Sequence, residues 1–423
     1  MPAYSPDNLK RIVLELTANC NAMCPGCDRW NKGKGGINSV VEKNLGTKGH
    51  MSLRKFNNAI PNELFIKYNN FRRIEFNGSV GDAILHPKFI KFLKLINNKN
   101  DQFREERDRV AVRIATNAGL HGKKYWEELG KQVARSNALH NMIYVALDGT
   151  TNDTHQQYRR GVDYNKALDN ARYAIDAGAK VRWQFIEFEH NKHQKEEAIR
   201  LAEKYGFTDI EIRNSRLGNS IYGDWVTRMQ EEIKEPNKST KAKFERDISK
   251  SISKQRVRQA AVEKEQKVRV EKKIDKKLQT QIKYRETDEM KKMLLKDTKN
   301  ITDVKTFLEE TTISCQWAGH GSVNVEFDGT VHPCCHMNQG LFYPNNHRLK
   351  YYHDVNNLYD SGWNNLENYN LVQILSHPYF TRDLEDSWKP DSDPNKKFKR
   401  LPVCLETCSK KQNIYMDEIT QLG

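Results

Sequence analysis

Short apolar runs alternate with longer amphipathic segments through the first half of this 423-residue chain. The runs predict strands, because each is too short for a helix and is followed by a segment of helical periodicity. They cover residues 12–16, 73–76, 110–115, 142–147, 181–188 and 209–213, and the helical segments cover 88–96, 125–134, 164–177 and 195–205. Six strands that alternate with helices predict an α/β fold of parallel βα units with right-handed crossovers.

Three cysteines follow the first predicted strand within eight residues, as the CxxxCxxC run of Cys20, Cys24 and Cys27. Ligand sites in parallel α/β folds lie where the strands end at their carboxyl edge, so this loop is well placed for chemistry. Three thiolates can hold an iron-sulfur cluster and leave one iron open to another ligand. Zinc is the alternative, because thiolates bind zinc as well, although structural zinc needs four ligands.

Other predicted strand ends also carry glycine and polar residues. The second strand leads into Asn77-Gly78-Ser79-Val80-Gly81-Asp82, where glycines would let the backbone approach a ligand. The remaining candidates are Asn117 after the third strand, Asp148 after the fourth, and the neighbouring pair Arg159 and Arg160. Asn117 and Asp148 could each equally be a helix cap or a turn former.

The fifth predicted strand ends in a dense group of polar residues that includes Glu187, His190 and Asn191. Each could contact a substrate or transfer a proton. Each could also belong to an ordinary polar rim at a strand end.

Residues 227–300 differ in composition from the rest of the chain. They contain 23 Lys and Arg against 13 Asp and Glu. The difference, 23 − 13 = +10, is two thirds of the formal net charge of +15. Apolar residues are too sparse there to build a core, so residues 226–305 are predicted to be a helical or disordered insertion. It is either a charged spacer between two domains or a basic arm for an acidic partner such as nucleic acid.

The last five cysteines are Cys315, Cys334, Cys335, Cys404 and Cys408. Residues 324–334 predict a hairpin that turns at Asp328-Gly329 and ends at Cys334. Eight cysteines in a chain of this length are too few and too clustered for a disulfide scaffold, and they indicate metal ligands in a reducing compartment. The chain shows no apolar stretch of membrane-spanning length and no secretory signal, so a cytoplasmic protein is expected.

The run Leu14-Glu15-Leu16-Thr17-Ala18-Asn19 with the CxxxCxxC loop, together with the strand-end segments, resembles the radical S-adenosylmethionine (SAM) superfamily. The resemblance implies an open six-stranded (β/α)6 barrel. It also implies a 4Fe–4S cluster on Cys20, Cys24 and Cys27, whose open iron binds SAM. Gly26 stands where the family usually has an aromatic residue, Val80 where it has a glycine, and Asp82 where it has a glutamate.

The same resemblance assigns SAM contacts to residues of the other strand ends. Gly81 and Asp82 would meet the amino group of SAM, with Gly78 supplying flexibility to the loop. Asn117 and Asp148 suit ribose or carboxylate contacts. Arg159, preferred over Arg160, would pair with the SAM carboxylate, because its planar fork matches a carboxylate in two hydrogen bonds.

The C-terminal region resembles the auxiliary-cluster domain of the family, in its SPASM or shorter twitch form, where Gly329 and Cys334 match the spacing of a characteristic hairpin. This implies one auxiliary 4Fe–4S cluster on Cys315, Cys334, Cys404 and Cys408. Cys335 is left over, because adjacent strand residues point to opposite faces. A structural zinc site on the same four thiols is the alternative.

The sequence thus predicts a barrel at 1–225, the insertion at 226–305 and a small α+β auxiliary-cluster domain at 306–423. The resemblance implies that SAM is split to a 5′-deoxyadenosyl radical, which abstracts hydrogen from a peptide, a protein or a small molecule. The result would be a two-electron oxidation or a peptide modification, with flavodoxin or ferredoxin as the electron donor. A zinc protein that binds nucleic acid through the insertion is the alternative from another class.

Overall fold

The computed structural model describes residues 2, 4–27, 29, 39–103, 105–135, 138–215, 311–337, 359, 362–390, 392–398 and 400–408. All of them belong to one compact unit made of Met1–Lys234 and Leu308–Gly423. The insertion predicted at 226–305 lies outside the described residues, and the division into three parts stays a prediction.

The described residues form one eight-stranded sheet in the order β6-β5-β4-β3-β2-β1-β7-β8. The strands are β1 Arg11–Leu14, β2 Arg73–Phe76, β3 Ala111–Thr116, β4 Met142–Ala146, β5 Val181–Glu187, β6 Asp209–Asn214, β7 Ser322–Val325 and β8 Val331–His332. Strands β1 to β6 run parallel in sequence order. The six strands predicted from apolar runs are therefore confirmed, as is the mostly parallel α/β fold.

Helices connect the six parallel strands, and further helices flank the C-terminal hairpin in the chain. They are α1 Ser39–Lys43, α2 Leu53–Ala59, α3 Asn62–Ile66, α4 Phe89–Asn100, α5 Lys123–Arg135, α6 Asn152–Tyr158, α7 Tyr164–Asp176, α8 Lys195–Lys204, α9 Gln316–Gly319, α10 Leu371–Leu375, α11 Leu384–Asp386 and α12 Pro402–Cys408, with a π-helical turn at Tyr379–Asp383. The four helices predicted from periodicity correspond to α4, α5, α7 and α8. Side chains start several of them, for example Asp163, which accepts a hydrogen bond from the Lys166 amide at the beginning of α7.

The predicted C-terminal hairpin is present and belongs to the same sheet as the barrel strands. Strand β7 pairs parallel with β1, and β8 pairs antiparallel with β7. The turn passes through Gly329 at φ +89°, a conformation that favours glycine. The sequence did not predict that this hairpin would extend the barrel sheet beside β1.

The two faces of the sheet differ in character. On one face, Ile12, Ile74, Ile114, Ile143 and Trp183 are fully buried in the core that the helices cover. Because side chains alternate along a strand, the residues between them point to the inner side of the partial barrel. No helix in the described part of the chain combines the length and apolar character that crossing a bilayer requires.

Candidate active site

The cysteine loop follows β1 and is tied by its backbone to loops from other strands. The Met23 amide donates to the Arg160 carbonyl at 2.8 Å, and the Asp82 amide donates to the Asn19 carbonyl at 2.8 Å. The Cys27 amide closes a turn onto the Cys24 carbonyl at 3.1 Å. These bonds hold the loop over the carboxyl edge of the sheet.

Each of the three thiols contacts a group that follows a different strand. The Cys20 sulfur lies 3.6 Å from Asn117 Nδ2, after β3, and the Cys27 sulfur lies 3.9 Å from the Ser79 carbonyl, after β2. The Cys24 sulfur lies 3.7 Å from Arg159 Nη1, beyond β4. The loop therefore points its thiols toward the ends of β2, β3 and β4.

Burial favours the protonated thiols. It raises the pKa of Cys20 to about 12, and the Asp82 carboxylate adds to the effect. Burial also raises the pKa of Cys24, although the Arg159 guanidinium opposes it. Within the described residues, no three His, Cys, Asp or Glu side chains already form a group arranged to hold a metal ion.

Gly78 and Gly81 allow the loop after β2 to approach its neighbours. Gly78 has φ +66°, and a Cβ there would lie 2.4 Å from the Gly81 carbonyl oxygen. A Cβ on Gly81 would lie 1.8 Å from the Thr17 carbonyl oxygen. Both positions therefore require glycine for packing between backbones, whatever else they contact.

The Asp82 carboxylate joins the ends of β2 and β3. It accepts hydrogen bonds from Thr116 Oγ1 at 2.9 Å, from the Asn117 amide at 2.9 Å and from the Ile84 amide at 3.3 Å. The side chain is only 4% exposed, and burial raises its pKa. The structure thus gives Asp82 a role in positioning Asn117.

Asp148 and Arg159 form a buried ion pair beside Cys24. Arg159 Nε donates to Asp148 Oδ2 at 2.6 Å, and the other carboxylate oxygen accepts from the Ile186 amide at 2.6 Å. The neighbouring Arg160 contributes its carbonyl to the Met23 contact described above. The arrangement brings Arg159 to the cysteine loop. Its preference over Arg160 as the partner of the SAM carboxylate stays a prediction.

Residues 14–188 match the family model described as the radical SAM superfamily. This range begins at the last residue of β1 and contains all the site residues described above. The chain contains a radical SAM domain. Members of this superfamily use a 4Fe–4S cluster and SAM, so the match supports an enzyme. A comparison with curated protein sequences finds no significant match.

Among solved structures, this chain is similar to SuiB of Streptococcus suis bound to the precursor peptide SuiA. The identity is 12% and the TM-score 0.41, and the match covers 80% of this chain but only 61% of SuiB. The protein anSMEcpe with bound AdoMet matches at 12% identity and a TM-score of 0.44, covering 95% of this chain and 86% of the other. These similarities are too distant to assign an activity or a substrate.

Two further residues hold the loops of the radical SAM domain together. Neither was predicted from the sequence as a site residue. Glu15 is 1% exposed and accepts from the Ser79 amide at 2.9 Å and from Ser79 Oγ at 2.8 Å. Arg29 is also buried and donates to the carbonyls of Ala18 and Val80. The signal for Glu15 was its place in an otherwise apolar run, Leu14-Glu15-Leu16.

The polar residues at the end of β5 separate by role. Asn191 is fully buried and all its contacts are structural, because it donates to the carbonyls of Asp148 and Ile186 and accepts from the Phe188 amide. Glu187 pairs with Lys195 at 3.1 Å. His190 stacks on Phe188, and its Nε2 is buried without a hydrogen-bond partner among the described residues. Of the three, His190 keeps an uncommitted nitrogen.

Four of the five C-terminal cysteines line one pocket, together with Tyr4 and Trp388. They are Cys315, Cys334, Cys404 and Cys408, and Cys335 is not among the lining residues. A hydrogen bond with Cys408 lowers the pKa of Cys315, and the Tyr4 hydroxyl, 3.5 Å from its sulfur, adds to this. The pocket brings together the four thiols that the sequence pattern grouped.

Proposed function

We propose that this protein is a radical SAM enzyme with one auxiliary cluster. The observation that carries the proposal is the cysteine loop: its three thiols contact Ser79 after β2, Asn117 after β3 and Arg159 at the end of α6, inside the region that matches the radical SAM family model. Soft thiolates suit an iron-sulfur cluster, and three of them leave one iron open. The raised pKa values of Cys20 and Cys24 are compatible with this, because a bound metal removes the thiol protons.

Cys20, Cys24 and Cys27 would hold the first 4Fe–4S cluster. When bound and reduced, for example by flavodoxin or ferredoxin, this group supplies the electron that splits SAM into methionine and a 5′-deoxyadenosyl radical, which takes a hydrogen atom from the substrate. The backbone at Gly81 and Asp82 would accept hydrogen bonds from the SAM ammonium, with Gly78 shaping the loop, and Asn117 would face the ribose. Asp148, expected from the sequence to contact SAM as well, is fully buried and has both oxygens engaged, so its role would be indirect.

Arg159 would orient the SAM carboxylate. A guanidinium has five N–H donors, and the two contacts described above engage Nε and Nη1. We expect the remaining donors to pair with the ligand carboxylate, while Asp148 keeps the arginine in place. The carboxylate of Asp82 would act indirectly, by fixing Asn117.

Cys315, Cys334, Cys404 and Cys408 would hold the auxiliary 4Fe–4S cluster. Four thiolates close the coordination of such a cluster, so it would pass electrons and not bind SAM. It could accept the second electron of a two-electron oxidation, of a peptide, a protein or a small molecule. The enclosure of these thiols by Tyr4 and Trp388 supports the assignment.

The test is iron, sulfide and zinc analysis of protein purified without oxygen, with Cys24→Ala, Cys404→Ala and the control Cys335→Ala. Wild type and Cys335→Ala should hold about eight irons per chain, and each of the other variants about four. Reduced wild type should form 5′-deoxyadenosine from SAM, and Cys24→Ala should not. Zinc in place of iron at the first site, or no SAM cleavage by the wild type, would overturn the proposal.

A further inference from the structure

A continuous band of charged and aromatic side chains crosses the inner side of the barrel sheet. We name it the arginine band and define it by Arg11, Arg73, Glu75, Arg113, Tyr144 and Arg182. One residue after another is in contact from β1 to β5. Arg11 extends the band toward β7, where its Nε donates to Ser322 Oγ at 2.8 Å, and its guanidinium lies 5.7 Å from the Trp317 ring.

The band lies on the face opposite the helix-covered core. Glu75 sits between Ile74 and Phe76, which are both fully buried in that core. Tyr144 likewise sits between Ile143 and Val145. Because neighbouring strand residues point to opposite faces, the band faces the inside of the partial barrel, where a substrate of the radical SAM domain would have to enter.

Positive charge exceeds negative charge in the band. One Glu75 oxygen serves three guanidinium groups, at 3.5 Å from Arg11 Nη1, 3.0 Å from Arg73 Nε and 3.9 Å from Arg113 Nη1. Arg182 is neutralised separately by Asp209, with Nε and Nη2 at 2.5 and 2.7 Å. Three arginines therefore share one carboxylate.

These guanidinium groups are also partly removed from water. The side chains of Arg11, Arg73 and Arg113 are 13%, 23% and 18% exposed, and Glu75 is 8% exposed. The Nε–H of Arg113 is buried and has no hydrogen-bond partner among the described residues. Like charges that lose solvent repel each other unless an anion joins them, and arginine forks match the oxygens of carboxylates and phosphates.

We propose that the arginine band binds an oxyanion, a carboxylate or a phosphate, carried by the substrate. The inference rests on the proposed function, because it assigns the substrate class of the same barrel. Arg113 supplies the unpaired donor, Arg11 and Arg73 supply the surplus charge, and Tyr144 forms the wall between Arg113 and Arg182, at 6.0 and 5.4 Å from their guanidinium carbons.

The position of the band sets the length of the substrate. Arg113 precedes Asn117 by four residues on β3, and Tyr144 precedes Asp148 by four residues on β4. At about 3.3 Å per residue, the anion site lies about 13 Å from the strand ends where SAM is placed. The substrate is therefore an extended molecule, with its oxyanion several bonds away from the carbon that loses hydrogen.

The test is calorimetric titration of the full chain at low salt with two probes, the peptide Glu-Glu-Glu and inorganic pyrophosphate. Binding of either probe to wild type is expected, and the tighter probe tells a carboxylate source from a phosphate source. Arg113→Gln should weaken that binding at least about tenfold, because a charge-assisted hydrogen bond is lost. The control Arg135→Gln, an exposed arginine at the end of α5 paired with Asp101, should not change it.

Glu75→Gln separates binding from damage to the fold. Removal of the shared carboxylate frees three guanidinium groups, so this variant should bind the probe more tightly, an effect that misfolding cannot produce. If neither probe binds wild type, if Arg113→Gln and Arg135→Gln behave alike, or if Glu75→Gln fails to tighten binding, the inference is wrong. SAM cleavage by wild type is measured separately, so its absence would count against the proposed function and not against the anion site.

Discussion

At the residue scale, several buried polar side chains of the candidate site bind other parts of the protein. Glu15, Asp82 and Asp148 each accept hydrogen bonds from a neighbouring loop or strand end, with little or no exposure to solvent. Such groups are costly to bury unless their hydrogen bonds are satisfied. They therefore fix the relative positions of the loops that would surround SAM.

His86 is another buried polar side chain with satisfied hydrogen bonds, and its imidazole can gain a proton in acid. It belongs to the Leu85-His86-Pro87 segment, is 3% exposed, places Nε2 at 2.9 Å from the Met51 carbonyl and accepts from the Lys88 amide at Nδ1. Burial lowers its pKa to about 4 from its ordinary 6.5. The folded protein thus holds the neutral ring, with the proton on Nε2.

We predict that His86 makes the protein less stable in acid. A group whose pKa is lowered on folding stabilises the protein above its unfolded pKa, and this contribution is lost as the pH falls from about 6.5 toward about 4. The loss between pH 7 and pH 5 should be about 2 kcal/mol. Urea unfolding at both pH values should show a smaller drop for His86→Gln than for wild type, and equal drops would contradict the prediction.

At the element scale, the site depends on loops that pack backbone against backbone. The loop after β2 meets the end of β1 at Gly81, and it meets itself at Gly78. These contacts bring the loop after β2 against the backbone that leads into the cysteine loop. Close packing of backbone leaves no room for a side chain.

We predict that Gly81→Ala separates these two loops. Its Cβ would overlap the Thr17 carbonyl oxygen, which cannot rotate away as a side chain can. The free energy of unfolding should fall by about 3 kcal/mol, and SAM binding should be lost.

Gly122→Ala is the matched control, because a Cβ there meets nothing within 4 Å. Its stability should stay within about 0.5 kcal/mol of wild type. Thermal unfolding and equilibrium dialysis with SAM would measure both quantities. Normal SAM binding by Gly81→Ala would show that the loops can separate without cost to the site.

At the scale of the whole molecule, a residue that precedes the first strand meets the second cysteine set. Tyr4 precedes β1, is 3% exposed, and places its hydroxyl 3.0 Å from the Pro333 carbonyl and 3.5 Å from the Cys315 sulfur. Strand β1, which follows Tyr4 in the chain, pairs with β7, which follows Cys315, and Arg11 lies opposite Ser322. The N-terminal segment is therefore part of the C-terminal site.

We predict that Tyr4→Phe alters the proposed auxiliary cluster without removing it. Hydrogen bonds to ligand sulfur influence the reduction potential of iron-sulfur clusters, so loss of the hydroxyl should move that potential to a more negative value. Redox titration followed by electron paramagnetic resonance measures it, with Tyr173→Phe on α7 as the control. Unchanged potentials would mean that the hydroxyl serves only the Pro333 carbonyl.

Most of the secondary structure of the barrel could be predicted from the sequence. The apolar runs at β1 to β6 and the helical periodicity at α4, α5, α7 and α8 depend on neighbours along the chain, which the sequence displays directly. The cysteine spacing likewise indicated a metal centre, and Gly329 indicated the turn between β7 and β8. These features are local, so their physical causes lie within a few residues.

Only the tertiary structure decided which distant groups meet. Nothing in the spacing of Glu75, Arg113 and Tyr144 predicts one band across the sheet, because strand register and side-chain direction together place them side by side. The same holds for Tyr4 beside Cys315, for Glu15 under the loop after β2, and for β7 beside β1. The sequence by itself determined the strands, the four longest helices of the described residues and the motifs of the radical SAM superfamily, whereas packing between segments far apart in the chain determined the contents of the site.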